Sequence, residues 1–326
     1  NGQPFDAYDE LRAKSPVYFQ DPPEWDIEPG SWMLTSYEDI IHVSSNPLIY
    51  SSQAATGNLM TLGDPETRHP KLWQTSIDHM LNLDGSFHLN LRKEHMPFFK
   101  PGYVDDLHKK VEIKVETLLD AIAKLGQCNL VKDVSQQLPI FTLSEILGIP
   151  EEDRHKLATW MEFLELAQYY AAENFKQTSG KTEEMEVDTS MIELFQTMID
   201  EMFDYGKHIL QAKRANPEND LLSAIANAEL DGAKLSQEYL DGSWLLIIFA
   251  GNDTTRNSIS GAIKLLTEFP DQKNKLINNL ELLPNFAQET IRMVSPVIHM
   301  RRTTTCDTTI GNQKLGAGEK VIMWYG

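Results

Sequence analysis

The chain has 326 residues, of which 41% are apolar and 24% charged, and its formal net charge is −19. These proportions are ordinary for a globular protein with a substantial core. The acidic balance argues against nucleic-acid binding, because such a surface repels phosphate backbones. The most apolar segment, Trp244–Ala250, is far shorter than the ~18 residues that a membrane-spanning helix requires, so no span is predicted. No signal peptide is visible either.

The chain contains two cysteines, Cys128 and Cys306. Neither has a second cysteine or a histidine at the spacing of metal ligands, so no zinc motif is present. Scarce cysteine is typical of the reducing cytoplasm, which is the predicted location.

The N-terminal part is predicted to combine turns with short strands. A strand is expected at Ser31–Thr35, followed by a helix from Glu38 to Ser45. Residues 52–80 contain scattered Gly, Pro, Asn and Thr without a clear period, which favours a long loop with at most one short helix. Loops of this length are uncommon in compact domains unless they serve binding.

Helical patterns dominate after Ser86. Apolar residues recur at three- and four-residue steps in Val111–Leu125 and in Ile192–Ala212. The polar, acidic run Lys176–Asp188 is predicted to be a mobile connection. A long helical pattern then extends from Ser236 to Phe269 and would measure roughly 50 Å at 1.5 Å per residue.

The C-terminal part changes its period. One more helix is expected after Pro284, ending near Pro296. Strands are predicted at Ile298–Thr305 and Lys320–Tyr325, with a turn at Gly311–Asn312 between them. The predicted fold class is therefore mainly α with small β-sheets.

A chemically suggestive motif, Ala250–Thr255, lies in the middle of the long helix. Gly251 lacks a Cβ, so a flat ligand could lie against the backbone there. Thr254 can bond back to the carbonyl of Ala250 and loosen the helix locally. Asp253 beside a hydroxyl in an apolar setting suits proton delivery. The alternative is a surface-facing Asp–Thr pair in a kinked core helix.

Two further charged groupings have helical spacing. Glu289 and Arg292 lie three residues apart, and most such pairs are solvated surface contacts. His88 and Arg92 lie four apart and could reach one anion from the same helix face. The adjacent Arg301 and Arg302 offer a second cationic position after the last helix, although each grouping alone is more often a surface charge.

The order of these motifs resembles the cytochrome P-450 family over essentially the whole chain. The motifs are His-x-x-x-Arg at His88–Arg92, Ala-Gly-x-Asp-Thr-Thr at Ala250–Thr255, Glu-x-x-Arg at Glu289–Arg292, then Pro-Val at Pro296–Val297 and Arg-Thr at Arg302–Thr303. Each is weak alone, but all of them in this order are specific. The resemblance implies a single helix-rich domain over residues 1–326, incomplete at the C-terminus and expected to be incomplete at the N-terminus.

The resemblance also implies roles for individual residues. Asp253 and Thr254 match the acid–alcohol pair that supplies protons during oxygen activation, and Ala250 and Gly251 match the groove beside the oxygen. Haem b is the implied cofactor. The residues that would hold its propionates are His88, Arg92 and Arg302. Those that would form a buried structural ion pair near the haem are Glu289 and Arg292.

Two departures from the family pattern stand out. The family usually has Pro-Pro before the first histidine, where this chain has Gly85–Ser86. The family's haem-ligating cysteine lies in a Phe-Gly-x-Gly loop that this sequence does not contain. Neither Cys128 nor Cys306 is assigned as the ligand, so no metal-binding residue is predicted here and the chain alone is expected to be inactive.

The implied function is haem-thiolate monooxygenation of an apolar small molecule, such as an alkane, a terpenoid or a sterol-like compound. Dioxygen is the co-substrate. Because no flavin or iron–sulfur motif is present, electrons are expected from a separate ferredoxin or flavoprotein. Two rival interpretations remain open: a haem-binding or sensing protein without catalysis, and a helical scaffold without a cofactor.

Overall fold

A computed structural model describes most of the chain. The described residues are 3–21, 30–53, 75, 79–164, 166, 189–230 and 232–326. The predicted loop over 52–80 falls mostly outside them, and the predicted connection over 176–188 falls entirely outside them.

Helices dominate the described residues, as the sequence predicts. They are α1 (Phe5–Lys14), α2 (Tyr37–Ser44), α3 (Gly85–His95), α4 (Pro101–Leu125), α5 (Gln137–Leu147), α6 (154–164), α7 (Thr189–Ala215), α8 (Leu221–Asn227), α9 (Gln237–Glu268), α10 (Pro270–Asn278) and α11 (Leu283–Val294). Within the described ranges, no helix combines the length and the apolar composition that crossing a membrane demands.

Helix α9 is the longest and has clear start and stop signals. Ser236 is its N-cap, and the Ser236 hydroxyl accepts a hydrogen bond from the backbone N–H of Tyr239 (3.4 Å). The helix ends at Glu268, with Phe269 as its C-cap, because Pro270 restricts the backbone of the residue before it. Its 32 residues span about 48 Å, so α9 can contact several other helices.

The strands form one mixed sheet and two hairpins. They are β1 (Val17–Gln20), β2 (Ser31–Leu34), β3 (Tyr50–Ser51), β4 (Glu229–Leu230), β5 (Ala233–Lys234), β6 (His299–Thr304), β7 (Thr308–Ile310), β8 (Gln313–Leu315) and β9 (Lys320–Trp324). The sheet has the order β1-β2-β9-β6-β3, with β2 and β9 parallel and the other neighbours antiparallel. Strands β4–β5 and β7–β8 pair as hairpins.

Two apolar cores support these elements. The larger lies among α3 and α5–α9, where Trp160 and Trp244 are almost fully buried. The Trp244 indole N–H donates to the carbonyl of Met202 (3.0 Å), which ties α9 to α7. The smaller core underlies the sheet around Leu34 and Val321. Together they fix α9, which carries four of the predicted site residues, and β6, which carries Arg302.

Candidate functional site

The Ala250–Thr255 motif occupies the centre of α9. The Thr254 hydroxyl donates to the carbonyl of Ala250 (3.3 Å), which confirms the predicted back-bond. Asp253 accepts hydrogen bonds from the Arg256 guanidinium (2.6 Å) and from the Asn257 amide (3.1 Å), and half of its side chain is exposed. Asp253 and Thr254 are thus adjacent in sequence, but their side chains form hydrogen bonds with different residues.

Gly251 has a packing role that the sequence did not predict. A Cβ at this position would lie 2.7 Å from one methyl carbon of Leu143 on α5, so the glycine allows two helices to pack closely. That Gly251 also opens the backbone to a flat ligand stays a prediction. Ala250 is exposed and Asn252 is buried, which shows that α9 has one packed face and one open face at this motif.

The predicted cationic residues come together between α3 and β6. His88 lies within electrostatic range of Arg92 and of Arg302, and burial followed by these two cations lowers the pKa of its imidazole. Burial also lowers the pKa of Arg302, whose guanidinium donates to the carbonyl of Arg301 (2.8 Å). Among the described residues, neither His88, Arg92 nor Arg302 forms an ion pair. We call these three residues the cationic site.

Sequence reasoning missed two residues beside the cationic site. The Asp84 carboxylate raises the pKa of both His88 and Arg302, against the larger lowering that burial causes. Burial raises the pKa of the Tyr325 phenol, and Arg302 opposes that shift. Asp84 lies four residues before His88, at the N-cap position of the same helix. That position is the sequence signal that could have placed Asp84 near His88. No pattern in the sequence links Tyr325 to Arg302.

The unusual Gly85–Ser86 pair has a structural consequence at the start of α3. Gly85 has a φ of 63°, in the left-handed region that glycine tolerates. A proline has its φ fixed near about −65°, so the Pro-Pro that the family resemblance leads one to expect does not fit this backbone. The chain therefore enters α3 by its own route.

Glu289 and Arg292 form the predicted ion pair on α11, with N–O distances of 2.8 and 2.6 Å. The expectation that the pair is buried is wrong for this chain, because 55% of the Glu289 side chain and 65% of the Arg292 side chain are exposed. The buried side of α11 is instead the one that carries Thr290 and Val294, which packs on α9. A hydrogen bond from Arg292 lowers the pKa of Glu289.

The described residues fit one part of haem b and not another. Two guanidinium groups that form no ion pair with a described residue, those of Arg92 and Arg302, suit the two carboxylates of the porphyrin, since guanidinium groups bind carboxylates with two parallel bonds, and the His88 imidazole can add a hydrogen bond. Cys128 and Cys306 are both exposed and free. An exposed surface thiol does not fit an enclosed axial thiolate, so neither cysteine is assigned as the iron ligand. Within the described ranges, no cluster of three or more His, Cys, Asp or Glu side chains is placed to hold a metal.

The structure thus has a hydroxyl and a carboxylate at the midpoint of a long central helix, and a cationic site between α3 and β6, which are features that the sequence resemblance predicts for a haem-dependent enzyme. The sequence model of the cytochrome P-450 family matches residues 49–326. A solved structure of a Mycobacterium marinum cytochrome P-450 in complex with pseudoionone superposes with a TM-score of 0.82 and 30% identity, covering 98% of this chain and 74% of that one.

Two curated relatives agree. Linalool 8-monooxygenase of Pseudomonas putida is 31% identical over 99% of this chain and 75% of its own length. A steroid C26-monooxygenase of Mycolicibacterium smegmatis is 28% identical over 98% of this chain and 71% of its own length. The chain belongs to the cytochrome P-450 family. Its cofactor is therefore haem b, and its reaction class is the monooxygenation of apolar compounds.

Proposed function

We propose that the protein inserts one atom of dioxygen into an acyclic terpenoid-like substrate and takes its electrons from a separate protein. The observation that carries the proposal is the cationic site of His88, Arg92 and Arg302. The same chain has the Ala250–Thr255 motif on an open face of α9. His88, Arg92 and Arg302 would hold the haem carboxylates. Haem, when bound through a thiolate, supplies the activation of dioxygen.

The chain's own residues provide the proton path in this proposal. Asp253 is half exposed, so its carboxylate can take up protons from water. The Thr254 hydroxyl is held by the Ala250 carbonyl and can pass a proton on while its oxygen accepts another. For a direct transfer, Asp253 must turn away from Arg256 and Asn257. The acid and the alcohol therefore have distinct tasks, uptake and delivery.

The names of two similar proteins support the substrate class. Linalool is named in a curated relative and pseudoionone in a similar crystal structure, and both compounds are acyclic terpenoids. Steroids and lipids are the alternative substrate classes, because other similar proteins are named for them. A compound of this class offers mainly apolar surface, so binding would be driven by its transfer out of water.

A ferredoxin or a flavoprotein is the proposed electron donor. Arg92 and Lys93 are both exposed on α3, and such cations on an otherwise acidic protein would attract an acidic partner. Scarce cysteine supports a cytoplasmic location as part of the same proposal.

The test uses the protein in the length that its gene encodes. Addition of linalool should shift the Soret band and, with a ferredoxin and its reductase, yield a hydroxylated product. Arg92→Ala should lower the haem content. The neighbouring Lys93→Ala should not, because it removes a positive charge that lies outside the cationic site. Full haem loading in both Arg92→Ala and Arg302→Ala would remove the carboxylate-binding role from this site.

A further inference from the structure

The carboxylate of Asp84 does not cap the helix that it precedes. Asp84 is the N-cap residue of α3, yet its side chain accepts no hydrogen bond from the first turn. An aspartate at this position usually accepts a bond from a backbone N–H two or three residues later. Asp84 instead accepts from the Ser51 hydroxyl (2.5 Å) and from the backbone N–H of Ser52 (3.0 Å). Its side chain therefore ties the start of α3 to the end of β3.

These hydrogen bonds connect α3 to the strand that lies beside Arg302. Strand β3 pairs with β6, and Ser51 lies opposite Thr303, the residue after Arg302. His88 lies one helical turn after Asp84 on α3. The Asp84 carboxylate thus stands between the helix that carries His88 and the strand that carries Arg302, and it acts electrostatically on both.

We propose that Asp84 is a positioning residue of the cationic site. Its bonds to Ser51 and Ser52 fix the first turn of α3 against the sheet, which sets the separation between His88 and Arg302. Its negative charge offsets the repulsion between Arg92 and Arg302 and the repulsion that both exert on a protonated His88. The left-handed backbone of Gly85 belongs to the same arrangement, because it sets the route by which the chain leaves Asp84 and enters α3.

The physical consequence concerns both charge and local stability. Burial lowers the pKa of the His88 imidazole, and the charges of Arg92 and Arg302 lower it further. The charge of Asp84 raises it. Removal of the Asp84 charge should therefore make His88 titrate at lower pH. Removal of a charge-assisted bond to the Ser52 amide should also let that amide open more often. The inference rests on the proposed haem-carboxylate role for the site's function, but neither effect requires haem.

The experiment uses the 326-residue chain without haem. His88 is titrated by NMR of its ring protons, assigned by the signal that His88→Gln loses, and the Ser52 amide is followed by hydrogen exchange. Asp84→Asn should lower the pH at which His88 titrates and speed Ser52 exchange about tenfold, the ratio that 1.4 kcal/mol would give. Glu94→Gln is the matched control, because it removes one negative charge from an exposed position on the same helix. It should change neither readout.

A second variant separates the charge from the bond. Ser51→Ala removes one hydrogen bond and keeps the carboxylate, so Ser52 exchange should accelerate while the titration of His88 shifts much less than in Asp84→Asn. It also tests the tie if Asp84→Asn fails to fold. An unchanged His88 titration in a folded Asp84→Asn chain, or an equal downward shift in Ser51→Ala, would overturn the proposal. Either result would leave the proposed monooxygenase function untouched, because haem takes no part.

Discussion

Gly251→Ala perturbs the close contact between α9 and α5. The added Cβ would lie 2.7 and 2.9 Å from the two methyl carbons of Leu143, well inside the normal carbon–carbon separation of about 3.5–4.0 Å. Leu143 is only 8% exposed, so its side chain cannot swing into solvent. Overpacking of this kind costs about 1–3 kcal/mol, whereas alanine stabilises a helix interior by about 1 kcal/mol over glycine. We therefore expect a net destabilisation of about 0–2 kcal/mol.

The assay is urea denaturation of the variant beside a matched control. Gly102→Ala places the same methyl group on α4, where no other atom lies within 4 Å of the new carbon. That change should stabilise the chain by about 0.4–1 kcal/mol. Leu143→Val in the Gly251→Ala background should recover part of the loss, because it relieves the same contact. If Gly251→Ala proves as stable as Gly102→Ala, the close packing of α9 on α5 is refuted.

Three other changes test separate parts of the structure. Asp220→Asn should lower the free energy of unfolding in urea by about 1.5–3 kcal/mol, because it neutralises the buried one of two carboxylates that pair with Lys213 (2.5 Å), while Glu218 (2.6 Å) keeps the ammonium group paired. Haem added to the 326-residue chain should give no ferrous–CO band at the thiolate position, and Cys306→Ala or Cys128→Ala should leave the spectrum unchanged. A thiolate band lost in either variant would identify a ligand that the exposed positions argue against. In the gene-length protein, Thr254→Ala should raise peroxide released per electron pair with little change in substrate affinity, and unchanged coupling would exclude Thr254 from proton delivery.

The boundaries of the central helix were predictable because the sequence contains its physical stop signals. The predicted range, Ser236–Phe269, differs from α9 by one residue at each end, since Ser236 is the cap and Pro270 prevents continuation. The strands β6 and β9 were likewise predicted within about a residue or two from their composition. Such signals act over a few residues, so they can be recognised from the amino-acid sequence alone.

Two helices were missed for the opposite reason. Helix α1 was expected to be turns and short strands, and it has no side-chain cap and buries only Tyr8. Helix α10 has no buried residue at all. Neither has a clear apolar stripe, so their conformation depends on neighbours that a pattern search does not include.

The candidate site shows the same division between local and tertiary information. The back-bond of Thr254 was predictable because its partner lies one turn away on the same helix. The packing role of Gly251 was not, since Leu143 lies more than a hundred residues earlier. The exposure of Glu289 was misjudged because apolar neighbours in sequence, such as Ile291, do not share its helix face. Asp84 was missed because its partners belong to another element.

The most direct test of the central claim is isotope incorporation during turnover. The gene-length protein is supplied with an acyclic terpenoid, a ferredoxin, its reductase and ¹⁸O₂, and the product is analysed by mass spectrometry. Monooxygenation predicts a hydroxylated product in which the new oxygen atom is ¹⁸O and a second labelled atom appears in water. A product that carries oxygen from solvent water, or haem-loaded protein that consumes no dioxygen with any apolar substrate, would contradict the assignment.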